Sequence, residues 1–235
     1  MINFRQWLEA IEDERHPFKA VFMAGGPGSG KTFISKHMFP DFMQSNSDKV
    51  QELLFGTLPP GPPEFYYNLR RSQELSTQRC QRWSKQGLPI VIDTTARDSA
   101  IVRKINERLK SLGYDTGMVF VYSPLEKAIE RNRKRSFEGQ HVADEKYLIQ
   151  AWHQAQENIP AYQEIFGSRF QELNNTEDYK RLVTRTDKES LDRRMLSVAH
   201  RVLHPPLSRA DVIKRKQALC PQQIKPVQSQ PLERV

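Results

Sequence analysis

The sequence predicts an α/β fold in which a parallel sheet carries helices on both faces. Short apolar runs alternate with longer segments whose apolar residues recur at helical spacing, a pattern typical of such sheets. The first apolar run leads into a glycine-rich loop and then into a helical stretch. The 235 residues are enough for one domain of this kind with an appendage.

Five apolar runs predict strands, and the segments between them predict helices. Closing glycines and prolines mark where several of these elements end. The expected strands are 19–24, 42–45, 89–93, 118–122 and 170–173. The expected helices are 33–38, 66–85, 101–112, 125–135, 148–162 with a perturbation at Pro160, and 191–203. Four prolines make 58–63 a loop, since proline cannot continue either kind of backbone ladder.

The glycine-rich loop has the complete pattern Gly-x-x-x-x-Gly-Lys-Thr of a phosphate-binding loop, which makes the fold of the P-loop NTPase type. Backbone N–H groups of such a loop and the start of the following helix bind phosphate. Lys31 is expected at the β- and γ-phosphates, and the Thr32 hydroxyl at Mg²⁺. The predicted nucleotide-binding residues are Gly25, Gly26, Pro27, Gly28, Ser29, Gly30, Lys31 and Thr32.

Two carboxylates follow predicted strands and should therefore lie at the same edge of the sheet as the loop. Asp48 could accept the proton of an attacking hydroxyl, or it could cap a helix that starts at Lys49. Asp93 closes the third strand and could hold Mg²⁺ directly or through water, or it could cap the turn at 94–96.

Arginines near these positions are candidates for contacts with phosphate. Arg97 could face a substrate phosphate, or it could form an ordinary ion pair with Asp98 or Glu107.

A second arginine group is Arg131, Arg133 and Arg135, in which the first and last share a helix face. A mobile lid that carries them could stabilise the transferring phosphoryl group, and the turn expected at Gly139 favours this. The alternative is a solvated basic helix.

Positive charge is concentrated at the C-terminal end. Residues 1–179 carry 23 basic and 23 acidic side chains, whereas residues 180–235 carry 13 and 5, so the whole net charge of +8 lies in the last 56 residues. We therefore divide the chain into an N-terminal amphipathic helix at 1–17, a P-loop domain at 18–179 and a basic C-terminal helical or irregular arm at 180–235, disordered from about Pro221. The arm is expected to bind nucleic acid, DNA in particular, and the alternative is a solvated tail or a basic helical surface.

The number of cysteines and the length of the apolar runs predict the cellular compartment of the protein. The sequence has two cysteines, Cys80 and Cys220, far apart, which is typical of a reducing compartment. No apolar run reaches the length of a membrane span. The expected location is the cytoplasm, of the host if the chain is phage-encoded.

Four motifs in order resemble the polynucleotide-kinase-like P-loop kinases, at residues 25–32, 47–48, 90–95 and 131–135. The resemblance covers roughly residues 18–176. It implies ATP and Mg²⁺ at Lys31 and Thr32, Asp48 as the general base, and Arg131 and Arg135 as lid arginines. Relatives that act on polynucleotide ends often carry asparagine where this chain has Ala96. Zeta-toxin-type kinases, which phosphorylate a nucleotide sugar, are similar in layout.

The leading functional hypothesis is an ATP-dependent kinase that phosphorylates a hydroxyl on nucleic acid. The chain looks like the stand-alone phage kinases whose acceptor is the hydroxymethyl group of 5-hydroxymethyluracil within DNA, and the next acceptor is a 5′-hydroxyl end. Tyr66, Tyr67 or Trp83 could stack on a flipped base, or each could be ordinary packing. The alternatives are a zeta-toxin-like kinase of a nucleotide sugar or other small molecule, and a non-catalytic NTP-binding switch.

Overall fold

Parallel strands in the order β2–β3–β1–β4–β5 form the central sheet of the computed structural model, which describes residues 16–56, 63–138, 142–177 and 188–219. The central strand β1 pairs with β3 through Ala20 and Ile90, and with β4 through Lys19 and Asp115. The strands are β1 Lys19–Ala24, β2 Met43–Ser45, β3 Ile90–Asp93, β4 Asp115–Tyr122 and β5 Phe170–Asn174. All the pairings are parallel.

Helices cover both faces of this sheet, because neighbouring strand residues point to opposite sides. In β1, Phe22 contributes to a core shared with helices α4 and α7, and Val21 contributes to a second core shared with α1 and α8. The predicted fold class is confirmed. The helices are α1 Lys31–Met38, α2 Ser47–Phe55, α3 Pro63–Lys85, α4 Ser99–Ser111, α5 Leu125–Phe137, α6 Glu145–Glu157, α7 Ile159–Phe166, α8 Lys188–Leu203 and α9 Arg209–Leu219.

The helical stripe predicted over 148–162 is two helices rather than one. Helix α6 ends at Glu157 with Asn158 as its C-cap, and Pro160 lies in the first turn of α7. A proline there removes an N–H group that would have no partner within the helix in any case. The proline therefore starts a new helix instead of perturbing the old one.

Helix α8, which lies within the basic C-terminal segment, packs on the sheet. Helix α8 lies against β4 and β5, and it buries Met195, Ala199, Val202 and Leu203 in the second core. Through this helix, the segment predicted as a basic arm at 180–235 contributes to the core of the domain. Although the segment is basic in composition, α8 has an apolar stripe that needs the sheet to cover it.

Helix α9 lies at the edge where the strands begin. Arg215 on this helix donates to the carbonyl of Gly113 at 2.6 Å and to the Asp115 carboxylate at 3.3 Å. Lys19, only 2% exposed, pairs with the same carboxylate at 2.9 Å and donates to the Pro205 carbonyl at 2.6 Å. No helix is predicted from the sequence at 209–219, because the apolar residues there form no stripe, and in the structure none of its residues is buried.

Several expected features fall outside the described residues. These are most of the N-terminal helix predicted at 1–17, the turn at Gly139, the proline-rich loop except for Pro63, and the end of the chain from residue 220. Within the residues that the structure does describe, no helix is long and apolar enough to cross a membrane.

Candidate active site

The phosphate-binding loop connects the end of β1 to α1, at the edge where the strands end. Gly25, Gly28 and Gly30 have φ values of 136°, 80° and 94°, in the left-handed region that side chains other than glycine rarely adopt. A Cβ atom on Gly28 would also collide with the backbone carbonyl of Ala128. Backbone angle and close packing therefore both require glycine here.

The side chains of Arg131 and Asn175 donate hydrogen bonds to backbone carbonyls of the loop. The Arg131 guanidinium donates to the Gly28 carbonyl at 3.2 Å, to Ser123 Oγ at 3.0 Å and to the Asn175 carbonyl at 3.0 Å. The Asn175 amide donates to the Ser29 carbonyl at 2.6 Å. Arg131 thus ties the loop to the ends of β4 and β5, and its expected part at the transferring phosphoryl group stays a prediction.

From the sequence, Asn174 and Asn175 are expected where folds of this type often meet the nucleotide base, whereas the structure places the Asn175 amide on the Ser29 carbonyl of the loop. An asparagine that directly follows the last strand was the available signal, but it is also a common turn residue.

Lys31 lies folded over the loop that carries it. Its side chain is buried, and Nζ donates to the carbonyls of Gly25 at 2.7 Å and Gly26 at 3.2 Å. Burial lowers the pKa of the Lys31 ammonium, whereas the carboxylates of Asp93 and Asp48 act in the opposite direction. The Lys31 ammonium therefore lies on the loop and close enough to Asp93 and Asp48 to be attracted by both carboxylates.

Asp48 lies in the first turn of α2, but it does not cap that helix. The N-cap is Asn46, whose Oδ1 accepts from the backbone N–H of Lys49 at 2.8 Å. The alternative that Asp48 is the cap is therefore wrong, and its exposed carboxylate lines the cleft. Asn46 also donates through Nδ2 to the Asp93 carboxylate at 2.5 Å, so one asparagine connects the two elements that carry the carboxylates.

Asp93 ends β3 beside the loop. Burial raises the pKa of its carboxyl to about 6. The nearby Lys31 ammonium lowers this pKa, and repulsion from the Asp48 carboxylate raises it again in part. The turn that follows is closed by Thr94, whose Oγ1 accepts from the Ala96 N–H at 3.1 Å. The alternative role of Asp93 as the cap of this turn is therefore taken by Thr94.

A cleft of about 640 Å³ brings most of the predicted groups together, and this volume is typical of a ligand site. It is lined by loop residues, by Asp48 and Asp93, and by Arg97 and Arg135. Arg133 instead lies at the surface, where its guanidinium pairs with both oxygens of Glu145 at 2.9 and 3.0 Å. Of the three arginines predicted on a lid, the structure brings Arg135 to the cleft wall.

In the segment after β3, Ala96 has a backbone conformation that is unusual for alanine. Ala96 has φ 57° and is buried, and its carbonyl accepts from the Tyr162 hydroxyl at 2.9 Å. Asparagine adopts this left-handed conformation more readily than alanine, which gives a backbone reason for the asparagine expected in relatives. Next to it, the Asp98 carboxylate caps α4, and the Arg97 guanidinium lies 4.9 Å from the centre of the Tyr147 ring.

The three aromatic residues proposed to stack on a base differ in their surroundings. Tyr66 and Tyr67 are 59% and 70% exposed, so most of each side chain is open to solvent. Trp83 is half-buried against the core and lies beneath the Arg79 guanidinium. Of the three, Tyr66 lines the cleft.

The model of the zeta toxin family, described as "Zeta toxin", matches residues 5–190. Among curated proteins, none matches the chain by sequence.

Solved structures with the same fold include a chain of the PezAT chromosomal toxin–antitoxin system of Streptococcus pneumoniae. It is 15% identical with a TM-score of 0.55, over 92% of this chain and 94% of that one. A chain of the AvrRxo1-ORF1:AvrRxo1-ORF2 complex with sulphate ions is 12% identical with a TM-score of 0.56, over 92% and 84%. A chain of the Pnkp1/Rnl/Hen1 RNA repair complex is 17% identical with a TM-score of 0.52, over 65% of this chain and 48% of that one, so this chain spans about half of its length.

Proposed function

This chain belongs to the zeta toxin family, and we propose that it is an ATP-dependent kinase that transfers the γ-phosphate to an alcohol hydroxyl. The proposal depends on one observation, that the phosphate-binding loop and the Asp48 carboxylate line the same cleft. The loop supplies N–H groups for phosphate, and the carboxylate supplies a base for the attacking hydroxyl. Positioning and charge stabilisation of this kind account for most of phosphoryl-transfer catalysis.

The residues present fit a magnesium–ATP complex. Thr32 and Asp93 line the cleft and offer the hydroxyl and carboxylate oxygens that Mg²⁺ prefers. When bound, the metal would neutralise charge on the phosphate oxygens. Lys31 would exchange its two carbonyl acceptors for phosphate oxygens, and Arg135 would stabilise the negative charge of the transferring group. Asp48 would take the proton that the acceptor hydroxyl loses.

As acceptor we favour the hydroxymethyl group of 5-hydroxymethyluracil within DNA, and next a 5′-hydroxyl end. Exposed Tyr66 on the cleft wall supports a planar base as part of the acceptor, and the net charge of +8 supports a polyanion. A base within a duplex would have to leave the stack to reach Asp48. The described basic helix α9 lies at the opposite edge of the sheet, so it would contact the duplex away from the reacting base.

A nucleotide sugar is the second candidate acceptor. The family match and the distance of α9 from the cleft both favour it, since a small acceptor needs no contact with that helix. A non-catalytic NTP switch is the third candidate, and it requires no transfer at all.

The experiment that tests these candidates is transfer of labelled γ-phosphate from ATP. The acceptors are matched duplexes with and without internal 5-hydroxymethyluracil, their 5′ ends already phosphorylated, then duplexes with free 5′-hydroxyl ends, and then a panel of nucleotide sugars. Label on the modified duplex alone supports the favoured acceptor. Absence of label on every acceptor, with ATP bound, would favour the switch.

The variant Asp48→Asn separates the base from the binding site. We expect transfer to fall by a factor of about 10² to 10⁴, as for loss of a general base, with ATP affinity retained. The matched control is Glu52→Gln, an exposed carboxylate on the same helix that pairs with Lys49. Unchanged transfer by Asp48→Asn would contradict the general-base role.

A further inference from the structure

Two tyrosines on the cleft wall are more exposed than ordinary packing would leave them. Tyr66 is 59% exposed and Tyr147 is 38% exposed, and both line the cleft that contains Asp48 and the phosphate-binding loop. Aromatic side chains have a large apolar surface whose burial is favourable. Rings left open at a cavity, rather than scattered over the surface, indicate a surface that a ligand covers.

The Tyr66 ring packs against a buried neighbouring ring. It meets the Phe65 ring edge to face, with centroids 5.4 Å apart and planes at 84°. Phe65 is itself only 6% exposed, and both residues lie in the first turn of α3. One ring is thus anchored in the protein, and the other is presented from a helix to the cleft.

Tyr147 is placed by a different helix and carries a cation on its face. It lies in the first turn of α6, where its N–H donates to the capping Asp144 carboxylate at 3.0 Å. The Arg97 guanidinium, which comes from the segment after β3, lies 4.9 Å from the Tyr147 ring centre. This pair provides a planar, positively charged surface on the same cleft.

We propose that Tyr66 and the Arg97–Tyr147 pair form a site that binds a planar ring of the acceptor, a nucleobase, next to Asp48. Aromatic rings and guanidinium planes both stack on bases, and such stacking tolerates any base because each has a π-face. The positive charge of Arg97 also favours an acceptor with a phosphate beside the ring. This inference depends on the proposed function, since it identifies which part of the acceptor the kinase recognises.

The site accepts either of the two acceptor sources. A base in DNA and the base of a nucleotide sugar present the same planar ring, so the two sources are separated by the acceptor used in the assay. In both cases the ring would be held while the hydroxyl reaches Asp48, and ATP would bind at the loop independently of the tyrosines.

The test compares Tyr66→Ala and Tyr147→Ala with Tyr67→Ala. Tyr67 is a suitable control because it is the next residue, is 70% exposed and does not line the cleft. With a duplex that contains 5-hydroxymethyluracil, and in parallel with nucleotide sugars, we expect kcat/KM for the acceptor to fall about 5- to 100-fold in the first two variants. We expect the KM for ATP to stay within about twofold, and Tyr66→Phe, which keeps the ring, to restore activity.

A binding measurement keeps the inference testable even if no acceptor is phosphorylated. Fluorescence anisotropy of a labelled single strand that contains 5-hydroxymethyluracil, with a non-hydrolysable ATP analogue present, reports base binding alone. Weaker binding by Tyr66→Ala and Tyr147→Ala than by Tyr67→Ala supports the ring site even if transfer is absent and the kinase proposal fails. Equal behaviour of all three variants in both binding and kinetics would overturn the ring site and leave the kinase proposal intact.

Discussion

At the residue scale, Asn46 organises the acidic half of the site. Its side chain caps α2, which carries Asp48, and it donates to the Asp93 carboxylate at the end of β3. Asp93 nevertheless has a carboxyl pKa raised to about 6, because burial outweighs the effects of Lys31 and this hydrogen bond. The negative charge of Asp93 is thus only partly compensated by its protein neighbours, and a bound cation would stabilise it further.

The raised pKa of Asp93 predicts a stability effect with a definite pH dependence. The folded pKa of about 6 lies above the ordinary value of 3.8, so ionised Asp93 destabilises the protein above pH 6 and has no such effect below about pH 4. Without ligand, Asp93→Asn should raise the free energy of unfolding by up to about 3 kcal/mol at pH 8. The gain should disappear as the pH falls through 6 towards 4.

Urea unfolding across this pH range measures the effect, with Asp41→Asn, an exposed aspartate, as the control. With Mg²⁺ and ATP present the order should reverse, because the variant loses the carboxylate that we propose as a metal ligand. A pH-independent difference between Asp93→Asn and the wild type would contradict the argument.

At the element scale, helix α5 supports the phosphate-binding loop from one face and reaches the cleft from another. Arg131 donates to an oxygen of the loop and to two oxygens just after β4 and β5. Arg135, one turn later, lines the cleft. Asn132 fixes the segment after the helix through paired hydrogen bonds with the backbone of Ala143, at 2.7 and 3.0 Å. A single basic helix therefore carries one arginine that supports the loop and another that lines the cleft.

This division predicts different kinetics for the two arginines. Arg131→Ala should lower both ATP affinity and kcat, and should reduce stability by about 2 kcal/mol, because charged hydrogen bonds to the loop are lost. Arg135→Ala should lower kcat with little change in ATP affinity or stability. Titration with ATP, steady-state kinetics and thermal unfolding separate these outcomes.

The control for both arginine variants is Arg133→Ala, since Arg133 forms only a surface ion pair among its described contacts. If Arg131→Ala matched this control in ATP affinity, the supporting role would be wrong.

The packing of α8 predicts that the basic C-terminal segment is needed for stability. Met195 is 2% exposed in the core beneath the sheet, and Met195→Ala should lower the free energy of unfolding by about 2–5 kcal/mol. Arg194→Ala, at an exposed neighbour, should change it by less than about 0.5 kcal/mol. Equal stability of the two variants would mean that α8 does not belong to the core.

At the scale of the whole molecule, the cleft and the helix α9 lie at opposite edges of the sheet. Arg215 reaches Asp115, the first residue of β4, and the phosphate loop packs beside Val121 near the end of that strand. Eight residues of strand span about 25 Å. Part of the positive charge of segment 180–235 therefore lies on α9, at the sheet edge opposite the cleft.

This arrangement predicts that DNA binding and catalysis can be separated. The double variant Lys214→Glu/Lys216→Glu, at exposed positions of α9, should weaken DNA binding and reduce the slope of log K against log salt by about 1 to 2. Transfer to a nucleoside acceptor should be unchanged. Lys36→Glu/Lys104→Glu, also at exposed positions, is the control for net charge, and an equal loss of binding in both would assign the effect to net charge instead of α9.

The amino-acid sequence by itself determined the sheet, the phosphate-binding loop and the order of the carboxylates, because each depends on neighbouring residues with a local pattern. Only the tertiary structure decided that Asn46 reaches Asp93 across 47 positions and that Asn175 reaches the loop across 146. It also decided which arginines and tyrosines line the cleft and where the basic helices pack. Such contacts depend on how distant elements meet in space, and no spacing along the chain encodes that distance.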